Sequence, residues 1–498
     1  MRRWGSSIFG VGVCLGVAAS ALAADPAVRE KQSETVRHPA TDRGAQMREL
    51  HESLKGTEPG RGLGRALAVD LSSVEKASAE PEAKDGRYRV GVSKAVGIVV
   101  DFSRKALPFG ERETRPDGSR VWSGAVRAPG ASALRLELSP FELPEGAELY
   151  VYGPDRQAFG PYTGRGPIDD GQLWTNTVRG EEVRLQLRLP EGAKRARLVV
   201  ASVGYMGKAF PGALEQAGLC ADNALCVENA ECHNGTPAES AKQAVADMLF
   251  ASGGFYYLCT GGLLADSAPG DIPYFLTANH CISKPGEASS LETYFDYTIA
   301  CGQTNCTAPF DASPRNPETL GATIKAKNRT SDFTLLQLSS TPSTEGGEVY
   351  LGWNATPVAN TDGTHLYRIS HPAGSPQAYS EHDVDTGKTT CSSWPRGAWI
   401  YSQDVLGATE GGSSGSPVVN GSSQVVGQLS GACGFNVNDS CDSESNATVD
   451  GAFANYFSQV APFLVGGGSC KAAGQSCSMN SECCSNSCKG KPGAKTCK

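Results

Sequence analysis

The chain has 498 residues, 17 cysteines and a net charge of −8. A chain of this length exceeds one ordinary hydrophobic core, so we expect several domains. Residues 209–465 carry nine basic and 26 acidic side chains, a net charge of −17, which argues against a nucleic acid as the partner. After the first 23 residues no apolar run reaches the roughly 20 residues of a transmembrane span, so we predict no association with a membrane.

The amino terminus has the pattern of a secretory signal peptide. Two arginines follow Met1, an apolar run covers residues 8–19, and the small-residue site Ala21-Leu22-Ala23 predicts cleavage after residue 23. Cys14 follows Val13, where a lipoprotein signal would need a small residue, so we predict no lipid anchor. The sequence thus indicates a secreted protein.

Sixteen cysteines remain after the signal peptide is removed. An even number in an exported chain indicates disulfides and an oxidising compartment. No Cys-x-x-Cys pair stands near a paired histidine, which would be the pattern of a zinc site. The sequence therefore predicts neither a metal nor any other cofactor.

The first half of the chain changes character near residue 88. Residues 25–85 are rich in charge and alanine, and we predict a solvated leader with a helix near residues 44–54. Short apolar runs separated by turn signals then predict an all-β sandwich over residues 88–206, without cysteine or histidine. The predicted strands are Ala95–Phe102, Val121–Val126, Leu134–Leu138, Glu148–Tyr152, Glu182–Leu189 and Ala196–Ser202.

Three stretches in the second half carry the chemistry. Residues 409–419 form a glycine- and serine-rich turn that runs into an apolar strand, which is typical of a loop that presents a nucleophile, here Ser414. An apolar strand ends at His280, and Asp332 opens another strand-like run. A serine hydroxyl needs an imidazole to accept its proton and a carboxylate to orient that imidazole. The order His, Asp, Ser is that of chymotrypsin.

The segment from Cys220 to Leu464 resembles the trypsin-like serine peptidases, and within them the bacterial lysyl endopeptidase group. Besides the triad, three stretches carry the resemblance: Leu219–Cys226 looks like the mature amino terminus, Cys259–Leu264 like the strand before the histidine, and Gly427–Gly431 like the strand that lines the specificity pocket. The resemblance implies a secreted bacterial serine endopeptidase, monomeric, that acts on proteins or peptides. A catalytically silent, adhesin-like binding protein on the same fold is the alternative.

The predicted fold class is therefore all-β. Two six-stranded, chymotrypsin-like barrels would occupy residues 209–465, with little helix beyond residues 238–250 and a terminal turn near residues 453–463. The sandwich before them would be a propeptide, residues 24–208, which in the resembled group aids folding and blocks the active site; a permanent carbohydrate- or protein-binding sandwich is the competing interpretation. Lys208 is the expected processing site.

By the same resemblance, Ser414 Oγ attacks the scissile carbonyl while His280 accepts its proton, and Asp332 orients the histidine. Matching the loop residue by residue assigns the oxyanion hole to the backbone N–H groups of Gly412 and Ser414, each worth on the order of 3 kcal/mol.

The sequence indicates less clearly which substrate residue the specificity pocket would accept. The position of trypsin's aspartate is Ala408, and the position of the lysyl endopeptidase aspartate is Thr448, with Asp450 two residues further on the same strand face. A preference for Lys or Arg before the cut is expected if an acid reaches the pocket. The predicted substrate-binding residues are Ala408, Ser430, Gly431, Thr448 and Asp450, and Asp442 or Glu444 could also reach the pocket.

Three further histidines have no matching partner motif. His365, His371 and His382 are therefore predicted to be surface or structural residues.

One disulfide, Cys259–Cys281, would tie the strand before the histidine to the loop that carries it. The resemblance implies Cys226–Cys306, and Cys220 paired with Cys433 or Cys441. The pairing of Cys232, Cys301 and Cys391 stays open.

The last 33 residues are predicted to be a separate small module. Residues 466–469 form a glycine linker, and the six cysteines of residues 470–498 need disulfides because so short a segment cannot bury a core. Their spacing resembles inhibitor cystine knots, which implies the pairs Cys470–Cys484, Cys477–Cys488 and Cys483–Cys497. Such a knot could be a targeting or substrate-binding tail, or an inhibitory module.

Overall fold

The structure is a computed structural model. It describes residues 32–39, 43–60, 62–84, 86–193, 196–207, 219–220, 223–266, 272–304, 306, 319–342, 347–465, 474–477, 488–490 and 495–497. In these ranges no helix has the length and apolar character needed to cross a membrane. The expected processing site, Lys208, lies outside them.

Helices are few and short. They are α1 (Arg43–Gly56), α2 (Ser73–Ser78), α3 (Glu239–Ala244), α4 (Pro285–Ser289) and α5 (Phe453–Leu464).

Strands dominate both halves of the chain. Those of the N-terminal half are β1 (Val36–Arg37), β2 (Leu67–Ala68), β3 (Glu82–Lys84), β4 (Arg87–Asp101), β5 (Glu111–Thr114), β6 (Arg120–Arg127), β7 (Ala133–Leu138), β8 (Glu148–Tyr152), β9 (Ala158–Tyr162), β10 (Leu173–Trp174), β11 (Val178–Arg179), β12 (Glu182–Leu189) and β13 (Arg197–Met206).

Those of the C-terminal half are β14 (Glu228–Asn229), β15 (Val245–Ser252), β16 (Phe255–Leu264), β17 (Tyr274–Ala278), β18 (Glu292–Tyr294), β19 (Thr319–Leu320), β20 (Ala322–Asn328), β21 (Phe333–Leu338), β22 (Val349–Tyr350), β23 (His365–Ser370), β24 (Ala378–Val384), β25 (Trp399–Leu406), β26 (Pro417–Val419), β27 (Val425–Gly434), β28 (Asn446–Ala452), β29 (Cys488–Lys489) and β30 (Thr496–Cys497).

The N-terminal half is a sandwich of two sheets. One has the order β2-β6-β12-β8-β9, with β5 on β6, and the other contains β10, β7, β13 and β4 in that order. Strand β12 shows why the sheets pack: Val183, Leu185, Leu187 and Leu189 alternate with polar residues, and all four are buried in the core between the sheets. A period of two places these side chains on one face.

The C-terminal half forms two barrels. The first is built from β15 to β21, and the second has the order β24-β23-β26-β27-β28-β25 and closes through pairing of β24 with β25. Helix α5 packs against β27 and β28. The all-β fold class with two barrels is thereby confirmed.

The sandwich and the first barrel share a sheet, because β4 pairs with β13 on one edge and with β16 of the barrel on the other. The junction also contains buried charge. Glu292 of β18 is fully buried and accepts hydrogen bonds from the Thr177 hydroxyl (2.5 Å) and from Asn176 Nδ2 (2.8 Å) of the sandwich. Arg135, likewise buried, lies 3.9 Å from the same carboxylate. The interface between the two halves is therefore mixed, because an apolar cluster lies beside these charges. In that cluster Tyr88, Val90 and Met206 of the sandwich pack with Leu249, Tyr256 and Leu258 of the barrel.

Two predictions about local structure were wrong. The leader is packed rather than solvated: β1 pairs with β22 of the C-terminal half, and α1 buries Met47, His51 and Leu54, whose spacing places them on one helix face. The helix expected over residues 238–250 ends at Ala244, because the residues that follow form β15, which pairs with β16 and β18. The terminal turn expected near residues 453–463 is a full helix, α5.

The disulfides agree with the prediction only in part. Cys259–Cys281 is present as predicted. The pairings implied for Cys220, Cys226 and Cys433 were wrong, because the fold brings other cysteines within bonding distance, with Cα atoms 4.9–5.9 Å apart. The observed bonds are Cys220–Cys306, Cys226–Cys441, Cys232–Cys301 and Cys391–Cys433.

Little of the C-terminal module is described. Strands β29 and β30 pair antiparallel, and Cys477 is disulfide-bonded. Each of the three predicted knot pairs, Cys470–Cys484, Cys477–Cys488 and Cys483–Cys497, includes a cysteine whose side chain lies outside the described residues, so the knot stays a prediction.

Candidate active site

His280 and Asp332 meet where two paired strands end. Strand β17 ends at Ala278, directly opposite Phe333, the first residue of β21. The residues just beyond the pair therefore face each other. His280 Nδ1 lies 2.7 Å from Asp332 Oδ2, and the backbone N–H of His280 donates to Oδ1 at 2.8 Å. The carboxylate holds both the imidazole and its backbone in place.

Ser414 lies on the turn between β25 and β26, and it is almost fully buried. Its carbonyl accepts a hydrogen bond from the backbone N–H of Thr260 in the first barrel (2.9 Å). The next residue, Gly415, has φ +87°, and a Cβ there would lie 2.2 Å from Thr277 Oγ1. Only glycine allows this close approach of the turn to the first barrel. The serine is thus held at the seam between the barrels.

A cleft of about 610 Å³ contains all three predicted triad residues. His280 Nε2, the nitrogen away from the aspartate, is buried and has no hydrogen-bond partner among the described residues. The residues that line the cleft are Ala83, Lys84, Gly86, His280, Arg329, Asp332, Trp394, Thr409, Glu410, Gly411, Ser414, Leu429, Ser430, Gly431, Ala432, Val437 and Asn438.

Part of the sandwich reaches into this cleft. The carbonyl oxygen of Gly86 accepts a hydrogen bond from the backbone N–H of Gly412 at 3.1 Å. A Cβ built on Gly86 would lie 2.7 Å from His280 Nε2 and 2.9 Å from Ser414 Oγ. Residue 86 therefore lies directly against the predicted catalytic groups, which sequence reasoning had not anticipated.

The predicted substrate-binding residues fall into two groups. Ser430 and Gly431 line the cleft, and the Ser430 hydroxyl is buried there with no hydrogen-bond partner among the described residues. Ala408 is instead packed in an apolar cluster with Leu219 and Cys220. Ala408 therefore contributes to the packing of this cluster and is not among the residues that line the cleft.

Thr448 and Asp450 belong to the second group, because both are buried and already paired. Thr448 Oγ1 donates to Asp404 at 2.6 Å. Asp450 is fully buried and forms an ion pair with Arg368 at 2.6 Å. Its other carboxylate oxygen, Oδ2, is buried without a hydrogen-bond partner among the described residues, so the role of Asp450 in the specificity pocket stays a prediction.

Glu410 is a site residue that sequence reasoning missed. Its carboxylate accepts hydrogen bonds from Asn223 Nδ2 (2.9 Å), the backbone N–H of Ala224 (3.0 Å) and the Ser440 hydroxyl (3.3 Å). It therefore ties the start of residues 409–419, the proposed nucleophile loop, to residues 223–224. The sequence did offer one indication of its role, because Glu410 is the single charged residue in a loop of small residues.

The other predicted structural histidines are paired as well. His382 Nδ1 lies 2.7 Å from Asp404 Oδ1, and its Nε2 lies 2.8 Å from the Ser380 hydroxyl. This group has the composition of a catalytic triad, but Ser380 and His382 are buried in the second barrel. His371 stacks on Tyr297 with ring centroids 5.6 Å apart. Both histidines are thus inside the protein.

Two family models match the chain: "Lysyl endopeptidase, C-terminal domain" over residues 214–448, and "Lysyl endopeptidase N-terminal domain" over residues 63–204. Lysyl endopeptidase of Pseudomonas aeruginosa is 30% identical over 382 residues, which cover 70% of this chain and 76% of the relative. The two-barrel fold and these matches define the protein as a serine endopeptidase. The chain belongs to the lysyl endopeptidase family.

Other similarities are weaker. Secreted RxLR effector protein 73 of Plasmopara viticola is 29% identical over 317 residues, which cover 59% of this chain and 73% of that protein. Among solved structures, the active form of a protease of M. tuberculosis is 15% identical, with a TM-score of 0.31, and covers 47% of this chain and 86% of its own. A serine endoprotease from Yersinia pestis is also 15% identical, with a TM-score of 0.30 and coverage of 45% and 63%.

Proposed function

We propose that the protein is a secreted, monomeric endopeptidase, made as a precursor, that cuts proteins and peptides through a triad of Ser414, His280 and Asp332. The observation that carries this proposal is the 2.7 Å contact of His280 Nδ1 with Asp332, which leaves Nε2 facing the cleft that contains Ser414. Ser414 Oγ attacks the scissile carbonyl as His280 accepts its proton, and the same proton then passes to the leaving amine.

The oxyanion of the tetrahedral intermediate would be held by the backbone N–H groups of Gly412 and Ser414. Support comes from the Gly412 N–H, which already donates to a carbonyl oxygen in the cleft at 3.1 Å. Gly412 has φ +102°, a conformation that favours glycine.

Residues 24–208 would be a propeptide, with processing near Lys208. Its contact with the barrels includes the Glu292 cluster beside an apolar one, and water can solvate Glu292, Asn176 and Thr177 once the two parts separate. That the two family models match the two halves separately also favours independent modules. The competing function, a permanent binding sandwich, lacks such support.

A preference for Lys or Arg before the cut is part of the proposal. The relative named lysyl endopeptidase motivates it, and the charge of −17 over residues 209–465 favours the approach of basic substrates. Since Asp450 is paired with Arg368, the buried hydroxyl of Ser430 becomes a candidate partner for a substrate ammonium group in the cleft.

The C-terminal module would be a targeting or substrate-binding tail. A chain that ends at Val465 should then lose activity only on large or insoluble substrates. A gain in activity on small peptides after the same deletion would instead indicate an inhibitory module.

Mass spectrometry of a denatured protein mixture digested by the purified chain tests the main proposal, with Ser414→Ala digested in parallel. We expect new peptides with the wild type alone, and the residue before each cut reports the specificity. If neither protein cuts although the precursor is processed near residue 208, the peptidase function is wrong and a silent binding protein takes its place.

A further inference from the structure

We propose that the turn between β3 and β4 is a ligand of the active-site cleft that the enzyme binds but cannot cut, and that Gly86 is the residue that makes this possible. The inference rests on the proposed function in one respect, namely that the cleft is the active site. The inference goes beyond the proposed function because it names Gly86 as the inhibitory residue and gives the reason why Gly86 is not cut as a substrate.

Gly86 accepts from a proposed oxyanion donor and lies against His280 and Ser414. Its carbonyl oxygen accepts from the Gly412 N–H, the proposed oxyanion donor, at 3.1 Å. Its α-carbon faces the catalytic pair, since a Cβ there would lie 2.7 Å from His280 Nε2 and 2.9 Å from Ser414 Oγ. A substrate carbonyl cannot occupy the same place while Gly86 is present.

The conformation of Gly86 differs from that of a substrate residue. Its φ is +78°, in the left-handed region, whereas an extended peptide bound as a strand has negative φ. A side chain at residue 86 would point at His280 and Ser414 and not along the cleft. The carbonyl thus reaches the oxyanion donor while the residue is turned out of the extended geometry that cleavage requires.

The nucleophile loop packs closely against this hairpin, because the residues that meet there are small. A Cβ on Gly411 would lie 2.9 Å from the Ala83 Cβ, so small residues meet on both sides of the contact. The Arg87 guanidinium stacks over the ring of Tyr257 at 4.1 Å. Tyr88 then pairs with Leu258 as β4 joins β16. The pairing of β4 with the barrel fixes the depth at which the turn enters the cleft.

Substitution of Gly86 by alanine should therefore open the site in the intact chain. Alanine disfavours positive φ, and its methyl group has no room between His280 and Ser414. The matched control is Gly97→Ala, because Gly97 has φ +61° in β4, the strand that follows Gly86, but open space around its Cβ position. Both variants carry the backbone penalty, and only Gly86→Ala carries the collision.

The measurement is the rate at which a fluorescent fluorophosphonate labels Ser414 in the full-length chain. Labelling is read on a denaturing gel in the band of the uncut precursor alone, so processed enzyme does not contribute. We expect slow labelling of the wild type and of Gly97→Ala, and labelling faster by about tenfold or more for Gly86→Ala. Ser414→Ala supplies the background.

A second variant covers the case in which Gly86→Ala fails to fold. Arg87→Ala keeps the glycine but removes the stack on Tyr257, and it should also accelerate labelling, to a smaller extent. Equal rates for the wild type and the variant that folds would overturn the inference. If processed chain is not labelled either, the proposed function itself is wrong, so the two failures are distinguishable.

Discussion

Arg368 and Asp450 form an ion pair inside the second barrel, with Nη2 2.6 Å from Oδ1 and both side chains fully buried. Arg368 Nη1 also donates to the backbone oxygen of Ser416 at 2.9 Å and to its hydroxyl at 3.1 Å. Because Ser416 lies two residues after Ser414, the pair joins β23 and β28 to the turn that carries Ser414.

Asp450→Ala should destabilise the protein by about 3–5 kcal/mol, because it leaves a buried guanidinium without its counter-ion. Urea denaturation measures the change, and Asp362→Ala, which removes a carboxylate from a surface loop, is the control. If the variant instead has unchanged stability and a higher KM for basic substrates, Asp450 binds the substrate in the specificity pocket.

Asp332→Asn should lower kcat about 10⁴-fold with a small effect on KM, because the imidazole loses its orienting carboxylate and its preferred tautomer. The chain provides a matched control in Asp404→Asn, since Asp404 contacts His382 at the same 2.7 Å distance but in the buried Ser380 group. Steady-state kinetics on a peptide substrate distinguishes the two. A comparable loss of kcat in both variants would contradict the assignment of the triad.

Glu410→Gln should lower kcat about tenfold and change KM little, because it loosens the nucleophile loop from residues 223–224. Asn223→Ala removes the other side of the same contact, so the double variant should lose no more than either single variant. Kinetics of the three variants forms a double-mutant cycle. Fully additive losses would show that the two residues act separately.

His365 makes stability depend on pH. Burial alone would lower its pKa, but the hydrogen bonds that its ring N–H groups donate to the carboxylates of Asp383 and Glu381 outweigh this effect, and the pKa lies above its ordinary value of 6.5. The folded state therefore binds the proton more tightly than the unfolded state. This stabilisation is complete below pH 6.5, and it is lost as the pH rises through the raised pKa.

The difference in unfolding free energy between the wild type and His365→Asn should accordingly shrink as the pH rises above 6.5. Urea denaturation at a series of pH values measures it. A difference that stays constant with pH would mean that His365 has the same pKa in both states.

Much of the local structure was predictable because its causes are local. Alternation of apolar and polar residues in β12 and turn signals between strands indicate the sandwich. The region that became β15 misled the same reasoning, since its apolar run suits a helix as well as a strand. Pairing with β16 and β18 decided between them, and no pattern within residues 245–252 contains that information.

The sequence by itself determined which side chains were proposed for catalysis. His280, Asp332 and Ser414 were chosen because nucleophilic catalysis needs those side chains, and the structure places all three in one cleft. The tertiary structure alone decided which groups surround them. Partners of Asp450 and Glu410, the cysteine pairs and the place of Gly86 all depend on contacts between residues far apart in the chain, which are set by strand pairing and packing rather than by local pattern.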